Sequence, residues 1–133
     1  MTKKIKPVTP GLRFRIPPSF EEITTNVPEK SLLIPLKKSG GRNGSGKMTV
    51  RNIGGGHKKK IRLVDFKRTK DDVEAIVKTI EYDPTRSAFI ALVTYKDGKK
   101  SYIIAPNDIK VVKKIFYCDS SHIEIGNCHT LEN

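Results

Sequence analysis

"AFIALVTYKDGKKSYIIA", residues 88–105, decides the fold class of this 133-residue chain. Residues 88–95 are a nearly continuous apolar run, as a fully buried strand would be. "KDGK" (96–99) then sets Asp97-Gly98 between that run and "KSYIIA" (100–105). An Asp-Gly pair between two apolar runs reads as a two-residue β-hairpin turn. Outward from the hairpin, "VEAIVKTIEY" (73–82) is rich in β-branched residues and "KIRLVDF" (60–66) alternates. "IKVVKKIFY" (109–117) makes a fifth strand, and no segment after residue 60 has sustained helical spacing. Five strands joined by tight turns predict an all-β fold, a small five-stranded OB-like barrel that closes its edges without a large core.

The N-terminal region has another texture. Six of the eight prolines fall in residues 1–36, at Pro7, Pro10, Pro17, Pro18, Pro28 and Pro35. Proline at that density removes backbone donors and blocks helix, so an extended arm is expected. "SFEEITTNVPEKS" (19–31) adds at most one helical turn, with Ser19 as cap and Glu21 and Glu22 in the first turn. Residues 37–60 are glycine-rich and basic. No acidic residue lies between Glu29 and Asp65, whereas Lys30, Lys37, Lys38, Arg42, Lys47, Arg51, Lys58, Lys59, Lys60 and Arg62 all do. Ordinary soluble surfaces intersperse both signs. The expected organisation is therefore an arm with a basic loop (1–59), the barrel (60–118) and a tail (119–133).

A net charge of +12 and a pI near 9.8 point to a polyanionic partner. The 36% hydrophobic content is low for a compact globule, so roughly 70 to 90 residues are expected to form the core. No apolar stretch reaches the ~18 residues of a membrane span. "MTKKIKPVTPGLRFRIPP" has neither the apolar core nor the cleavage site of a secretory signal. Cys118 and Cys128 make no disulfide framework, which suits a reducing cytosol.

Gly41 to Lys47, "GRNGSGK", matches G-x-x-x-x-G-K, seven of eight positions of a Walker A loop. Such a loop needs a hydroxyl after the lysine and a helix whose N-terminal amides face the phosphates. Here Met48 takes the hydroxyl position, and Gly54-Gly55-Gly56 follows too soon for a useful helix. The nucleotide-binding reading fails on context. The chemistry still speaks of phosphate, since glycine backbones approach it closely and arginine grips it bidentately. "SGGRNGSGK" and "GGGHKKK" in tandem suit a polymer better than a mononucleotide. The plainer reading is a solvated basic linker that folds only on RNA, which is compatible.

Other residues carry less. Cys118, His122, Cys128 and His129 form C-x3-H-x5-C-H, which matches no common zinc spacing and reads as free thiols and exposed imidazoles. His57 lacks a nearby nucleophile or carboxylate, so RNA contact or exposure is expected. Asp71-Asp72 in "TKDD" reads as a solvated turn. Asp83-Pro84-Thr85 is a good turn, and Arg86 either pairs with Glu81 or Asp83 or contacts RNA; the positive field favours RNA.

"SGGRNGSGKMTVRNIGGGHKKKIRLVDFKR" followed by "EYDPTRSAFIALVTYKDGKKSYIIAP" closely resembles the N-terminal half of the bacterial-type large ribosomal subunit protein L-two family. "GGRN", "IGGGHK", "VDFKR", "EYDP-x-RSA" and "YKDG" are specific together, and the match runs from about residue 6 to residue 127. The resemblance implies an OB-like barrel behind an extended arm, binding large-subunit ribosomal RNA during assembly. It implies that Arg42, Asn43, Lys47, Arg51, His57, Lys58 and Lys60 line the RNA contact, with Lys67, Arg68 and Arg86 on the barrel face. Lys37, Lys38, Lys59 and Arg62 join them as candidate RNA-binding residues on charge and position. Two departures stand out. Thr85 replaces a common asparagine, and "CHTLEN" ends the sequence where the family continues into a second β domain. Roles tied to that second domain are not carried over.

The resulting expectation is a non-enzymatic structural constituent of the large ribosomal subunit, supporting assembly and translation in the cytoplasm of a bacterium rather than in an organelle. Its partners would be ribosomal RNA and neighbouring ribosomal proteins, with no cofactor, metal, membrane or small-molecule substrate. The alternative is a free-standing OB module for single strands. That class needs stacking aromatics on one sheet face, whereas Phe66, Phe89, Tyr95 and Phe116 fall where a core could claim them.

Overall fold

The computed structural model describes residues 2–68, 70, 72–118 and 122–129. Six strands follow in chain order: β1 (Leu33–Pro35), β2 (Lys60–Arg62), β3 (Ala75–Glu81), β4 (Ile90–Tyr95), β5 (Lys100–Ile104) and β6 (Lys114–Ile115). Among the described residues the helical elements are single 3-10 turns at Pro10–Leu12 and Lys30–Leu32. The fold is all-β. A curled antiparallel sheet in the order β5-β4-β3-β6 and a small β1-β2 sheet together make an OB-like arrangement.

β4 is buried at five of its six positions because both its faces are covered. Ala91, Val93 and Tyr95 pack with Val77, Ile80, Ile103, Ile109 and Ile115 on one side. Ile90 and Leu92 pack with Tyr102 on the other, under Leu32 and Val64. Each fully buried aliphatic side chain contributes about 1.5–3 kcal/mol, so the alternation expected of a half-solvated strand is absent here.

The sheet's outer edges are covered. β3 carries a bulge between Val77 and Thr79, which bends it and divides its free edge. The first part pairs with β6 through Ala75 and Ile76. The last part takes the N-terminal segment: the Thr24 amide donates to the Ile80 carbonyl (3.0 Å), and Thr25 bridges Glu81 in parallel. On the far side Val64 bridges Tyr102 of β5, and the Asp65 amide donates to the Tyr102 carbonyl (2.8 Å). Covered edges offer no template for another chain.

A buried polar network ties that N-terminal segment to the sheet. The Tyr102 hydroxyl donates to Glu81 Oε2 (2.7 Å) and accepts the Glu29 amide (2.8 Å), while Thr79 Oγ1 donates to Glu81 Oε1 (2.9 Å). Burial, reinforced by the hydrogen bond to Glu81, pushes the Tyr102 phenol far above its ordinary range, so it stays a donor.

Several local expectations are corrected. The β4–β5 turn has three residues, not two: the Tyr95 amide donates to the Lys99 carbonyl and the Gly98 amide to the Tyr95 carbonyl (both 2.9 Å). Gly98 alone of the three takes a positive φ, +76°, as in a type I turn with a glycine bulge. Residues 109–117 give only the two-residue β6, because Val112, at φ +69°, interrupts the extended backbone. "LLIPL", expected within the arm, instead supplies β1, whose Pro35 ends the pairing opposite Lys60. Ser19 caps no helix; Ile23 merely closes a turn onto the Phe20 carbonyl (3.2 Å). Asp71 and most of the tail beyond Cys118 (119–121 and 130–133) lie outside the described residues, and Asp72 hydrogen-bonds through its amide to Tyr117 (2.9 Å).

Candidate nucleic-acid interface

β1 and β2 are the stem of an antiparallel hairpin whose connection is the basic segment 36–59. The Leu36 amide donates to the Lys59 carbonyl (3.3 Å) and closes its base. The acid-free run is therefore one excursion from the barrel, and its two halves differ in structure.

The first half, 40–50, closes on itself. Gly41 has φ +76°, and a Cβ there would stand 2.2 Å from the Val50 carbonyl oxygen, so no other residue fits without moving backbone. The Gly41 carbonyl accepts the amides of Thr49 (2.9 Å) and Val50 (3.2 Å). Asn43 organises the tip: its Oδ1 accepts the amides of Ser45 (3.1 Å) and Lys47 (2.9 Å) and the Ser45 hydroxyl (2.8 Å). Its own backbone exchanges bonds with Lys47 and Gly46 (both 3.0 Å). The near-Walker loop thus spends on itself the amides that a phosphate nest keeps open, and no helix follows it. Of the glycine amides in this half, that of Gly46 is consumed within the loop. Of its two cations, Lys47 is exposed.

The second half, 51–58, is open. Among the described residues none of its backbone amides donates a hydrogen bond. Lys38 Nζ donates to the His57 carbonyl (3.2 Å), pinning this half to the start of the segment, and His57 Nδ1 lies 2.9 Å from the Lys58 carbonyl. The side chains of Lys37, Lys47, Arg51, Lys58, Lys60 and Lys67 have no hydrogen-bond or ion-pair partner among the described residues and are exposed.

Other barrel-side cations are held instead. Asp83 is 0% exposed, and its Oδ1 accepts the Thr85 amide (2.8 Å) and hydroxyl (2.7 Å). Its Oδ2 accepts Arg86 Nε (2.6 Å). Burial alone would raise the Asp83 pKa, but the Thr85 donors and the Arg86 charge outweigh it and hold the carboxyl below its ordinary value. The ion-pair reading of Arg86 is thus realised through Asp83, not Glu81. Arg86 also lies over the Phe66 ring, 5.4 Å from its centroid, and Lys59 Nζ donates to the Pro84 carbonyl (3.1 Å). Arg68 Nη1 reaches the Gly126 carbonyl (2.7 Å), and Arg62 Nη1 the Lys60 carbonyl (2.8 Å). Arg42 is likewise turned back onto the Gly40 carbonyl.

Sequence reasoning did not single out Asp83 as the residue that orients Arg86; the Asp-Pro-Thr-Arg spacing, ideal for a carboxylate-capped turn, was the available signal. It also passed over Phe66 as a surface group, and that ring is 67% exposed. Tyr95 and Phe89 are drawn into the core, so the row of stacking aromatics required of a free single-strand module is not assembled on the sheet.

Among the described residues no three His, Cys, Asp or Glu side chains converge as a metal site. Cys118 and Cys128 are half-buried and not joined in a disulfide. No helix there is long and apolar enough to cross a membrane.

The family model described as Ribosomal Proteins L2, RNA binding N-terminal domain, matches residues 29–117. The large ribosomal subunit protein uL2 of Bacteroides thetaiotaomicron is 60% identical over 131 residues, covering 98% of this chain and 48% of that protein. Its counterpart in Akkermansia muciniphila is 58% identical over 131 residues, covering 98% and 47%. That of Flavobacterium johnsoniae is 58% identical over 125 residues, covering 94% and 46%. The chain spans about half the length of the curated relatives it matches. With a family model matching well over half its residues, and with the barrel and basic hairpin in place, the chain belongs to the ribosomal protein L2 family, through the RNA-binding N-terminal domain of that family.

Proposed function

We propose that the chain is a structural constituent of the large ribosomal subunit, binding large-subunit ribosomal RNA through segment 36–59 and the adjoining barrel face. Its setting would be the bacterial cytoplasm, among neighbouring ribosomal proteins. The observation that carries this reading is the open half of the basic hairpin, where backbone amides, Arg51 and Lys58 lie together without partners among the described residues on one exposed segment. Lys37, Lys38, Arg42, Asn43, Lys47, Arg51, His57, Lys58, Lys59, Lys60, Arg62, Lys67, Arg68 and Arg86 are assigned to the contact in three roles. Unpaired cations neutralise phosphate. Arg86, held by Asp83, offers its remaining guanidinium donors in a set direction. Asn43 acts through the loop it shapes. Recognition would follow RNA shape more than base edges.

The test is sedimentation of the full chain with large subunits through a high-salt gradient, beside affinity for a large-subunit ribosomal RNA fragment measured against salt. Retention on the subunit, with affinity falling steeply and linearly in log salt, is the expected result. A chain stripped from subunits, with affinity indifferent to salt, overturns the reading.

A further inference from the structure

We propose that Asn43-Gly44 is a self-modification site: the closed half of the excursion promotes deamidation of Asn43 through a succinimide formed with the Gly44 nitrogen. The product carries a carboxylate where the chain is otherwise free of acids, from Lys30 to Val64. The chemistry stands on the loop alone. Only its consequence, weaker RNA binding, rests on the function proposed above.

Nucleophile, electrophile and activating donors meet in this loop. Among the described residues the Gly44 amide donates no hydrogen bond, Gly44 is exposed, and a Cβ there would meet nothing within 4 Å. Glycine has no side chain to shield that nitrogen. The bond from the Ser45 amide to Asn43 Oδ1 (3.1 Å) folds the Asn43 side chain over its own C-terminal peptide, closing a ring that contains the Gly44 nitrogen. Oδ1 also accepts the Ser45 hydroxyl (2.8 Å) and the Lys47 amide (2.9 Å). Two backbone amides and a hydroxyl at these distances are the donor set of an oxyanion hole, which stabilises charge developing on a carbonyl oxygen under attack. The same amides fix which terminal atom is the oxygen, and Nδ2 is left without a partner among the described residues.

The step balances with water alone. Hydroxide removes the Gly44 amide proton, and the nitrogen forms a bond to Asn43 Cγ. The Cγ–Nδ2 bond then breaks, Nδ2 takes a proton from water and leaves as ammonia, and hydroxide is regenerated. A second water opens the succinimide at either carbonyl, giving aspartate or isoaspartate. Arg42 and Lys47 flank the site and the nearest acids in sequence are Glu29 and Asp65, so the local field attracts hydroxide. Aspartate keeps an acceptor oxygen for the loop. Isoaspartate lengthens the backbone by one carbon and breaks the bond from the Asn43 amide to the Lys47 carbonyl (3.0 Å).

The full chain is aged at mildly alkaline pH, folded and in urea, and conversion of Asn43 is followed by peptide mass spectrometry with isoaspartyl methyltransferase labelling. The folded chain is expected to convert roughly tenfold faster than the unfolded one, well below the effect of a single oxyanion donor in an enzyme. Ser45→Ala removes the hydroxyl donor; it should slow the folded reaction several-fold and leave the rate in urea unchanged. Gly44→Ala should slow both, since its Cβ shields the nitrogen in any conformation. Aged wild-type chain should bind a large-subunit ribosomal RNA fragment more weakly than fresh chain, and aged Gly44→Ala should not. Folded conversion no faster than conversion in urea overturns the proposal, as does a folded Ser45→Ala chain that converts at the wild-type rate. Aged wild-type chain that binds as tightly as fresh chain overturns the consequence for RNA. Failure of the fresh chain to bind any RNA is a different result: it removes the proposed function and leaves the chemistry to be decided by the rates, which are read without RNA.

Discussion

The barrel face and the β1–β2 excursion carry the same sign of charge and hold it in opposite ways. On the barrel, Arg62, Arg68, Arg86 and Lys59 each have a protein acceptor, and for Arg86 that acceptor is a fully buried carboxylate. Along the excursion Lys37, Lys47, Arg51 and Lys58 have none among the described residues. Held cations have lost their rotamer freedom on folding, so binding a phosphate costs them little more. Unheld cations are ordered only at the moment of binding and adapt to the RNA they meet. Under the proposed function, one region is a rigid reference and the other moulds itself to the RNA.

That contrast can be broken from either side. The largest effect is expected from Asp83→Ala, which strands the Thr85 amide and leaves Arg86 without its buried counter-charge. A loss of about 2–4 kcal/mol in folding stability, read from the denaturant midpoint, follows from removing one partner of a largely buried pair. Acid should imitate it. Because the folded Asp83 pKa is lowered from 3.8, its contribution is complete above that value and disappears only as pH falls below it. Asp83→Asn should therefore cost stability at neutral pH and reduce the acid sensitivity of unfolding below pH 3.8.

Charge reversal of unheld lysines comes next. Lys37→Glu with Lys47→Glu and Lys58→Glu should weaken RNA binding on the order of a hundredfold at low salt and flatten the log–log salt slope by about three. The denaturant midpoint should hardly move. A stability loss as large as that of the Asp83 variant would show these lysines to be structural and erase the distinction drawn here.

Asn43→Ala sharpens the comparison within the excursion. The amides of Ser45 and Lys47 lose their acceptor, and about 1 kcal/mol of local protection, roughly a fivefold faster exchange of the Lys47 amide, is expected. Asn43→Asp keeps the acceptor oxygen and should keep the protection. The smallest effect belongs to Gly55→Ala, where a Cβ meets nothing within 4 Å and φ is not positive. Stability should stay within about 0.5 kcal/mol of wild type. The same change at Gly41 should open the closed half, visible as lost protection of Thr49 and Val50.

Much of this was legible in linear order. The apolar run at 88–95 announced a strand buried on both faces, and the acid-free stretch announced an exposed cationic segment, because composition and periodicity are local properties. The length of the β4–β5 turn was not legible, since two-residue and three-residue hairpins share the Asp-Gly signal and strand register chooses between them. Nor was β1: Pro35 argued against a strand, and only an edge position, where its missing donor faces no partner, admits it.

The charge imbalance, the all-β periodicity and the glycine spacing follow from residue identity alone, because each is a sum or a period along the chain. Which cations are held and which stand open is a different kind of property. Arg86 and Lys58 look alike as positive residues, yet one is set by a carboxylate whose burial depends on the whole barrel, and the other has a side chain with no partner among the described residues. That difference comes into being when strands distant in sequence meet and exclude water, since hydrogen bonding and desolvation depend on neighbours in space.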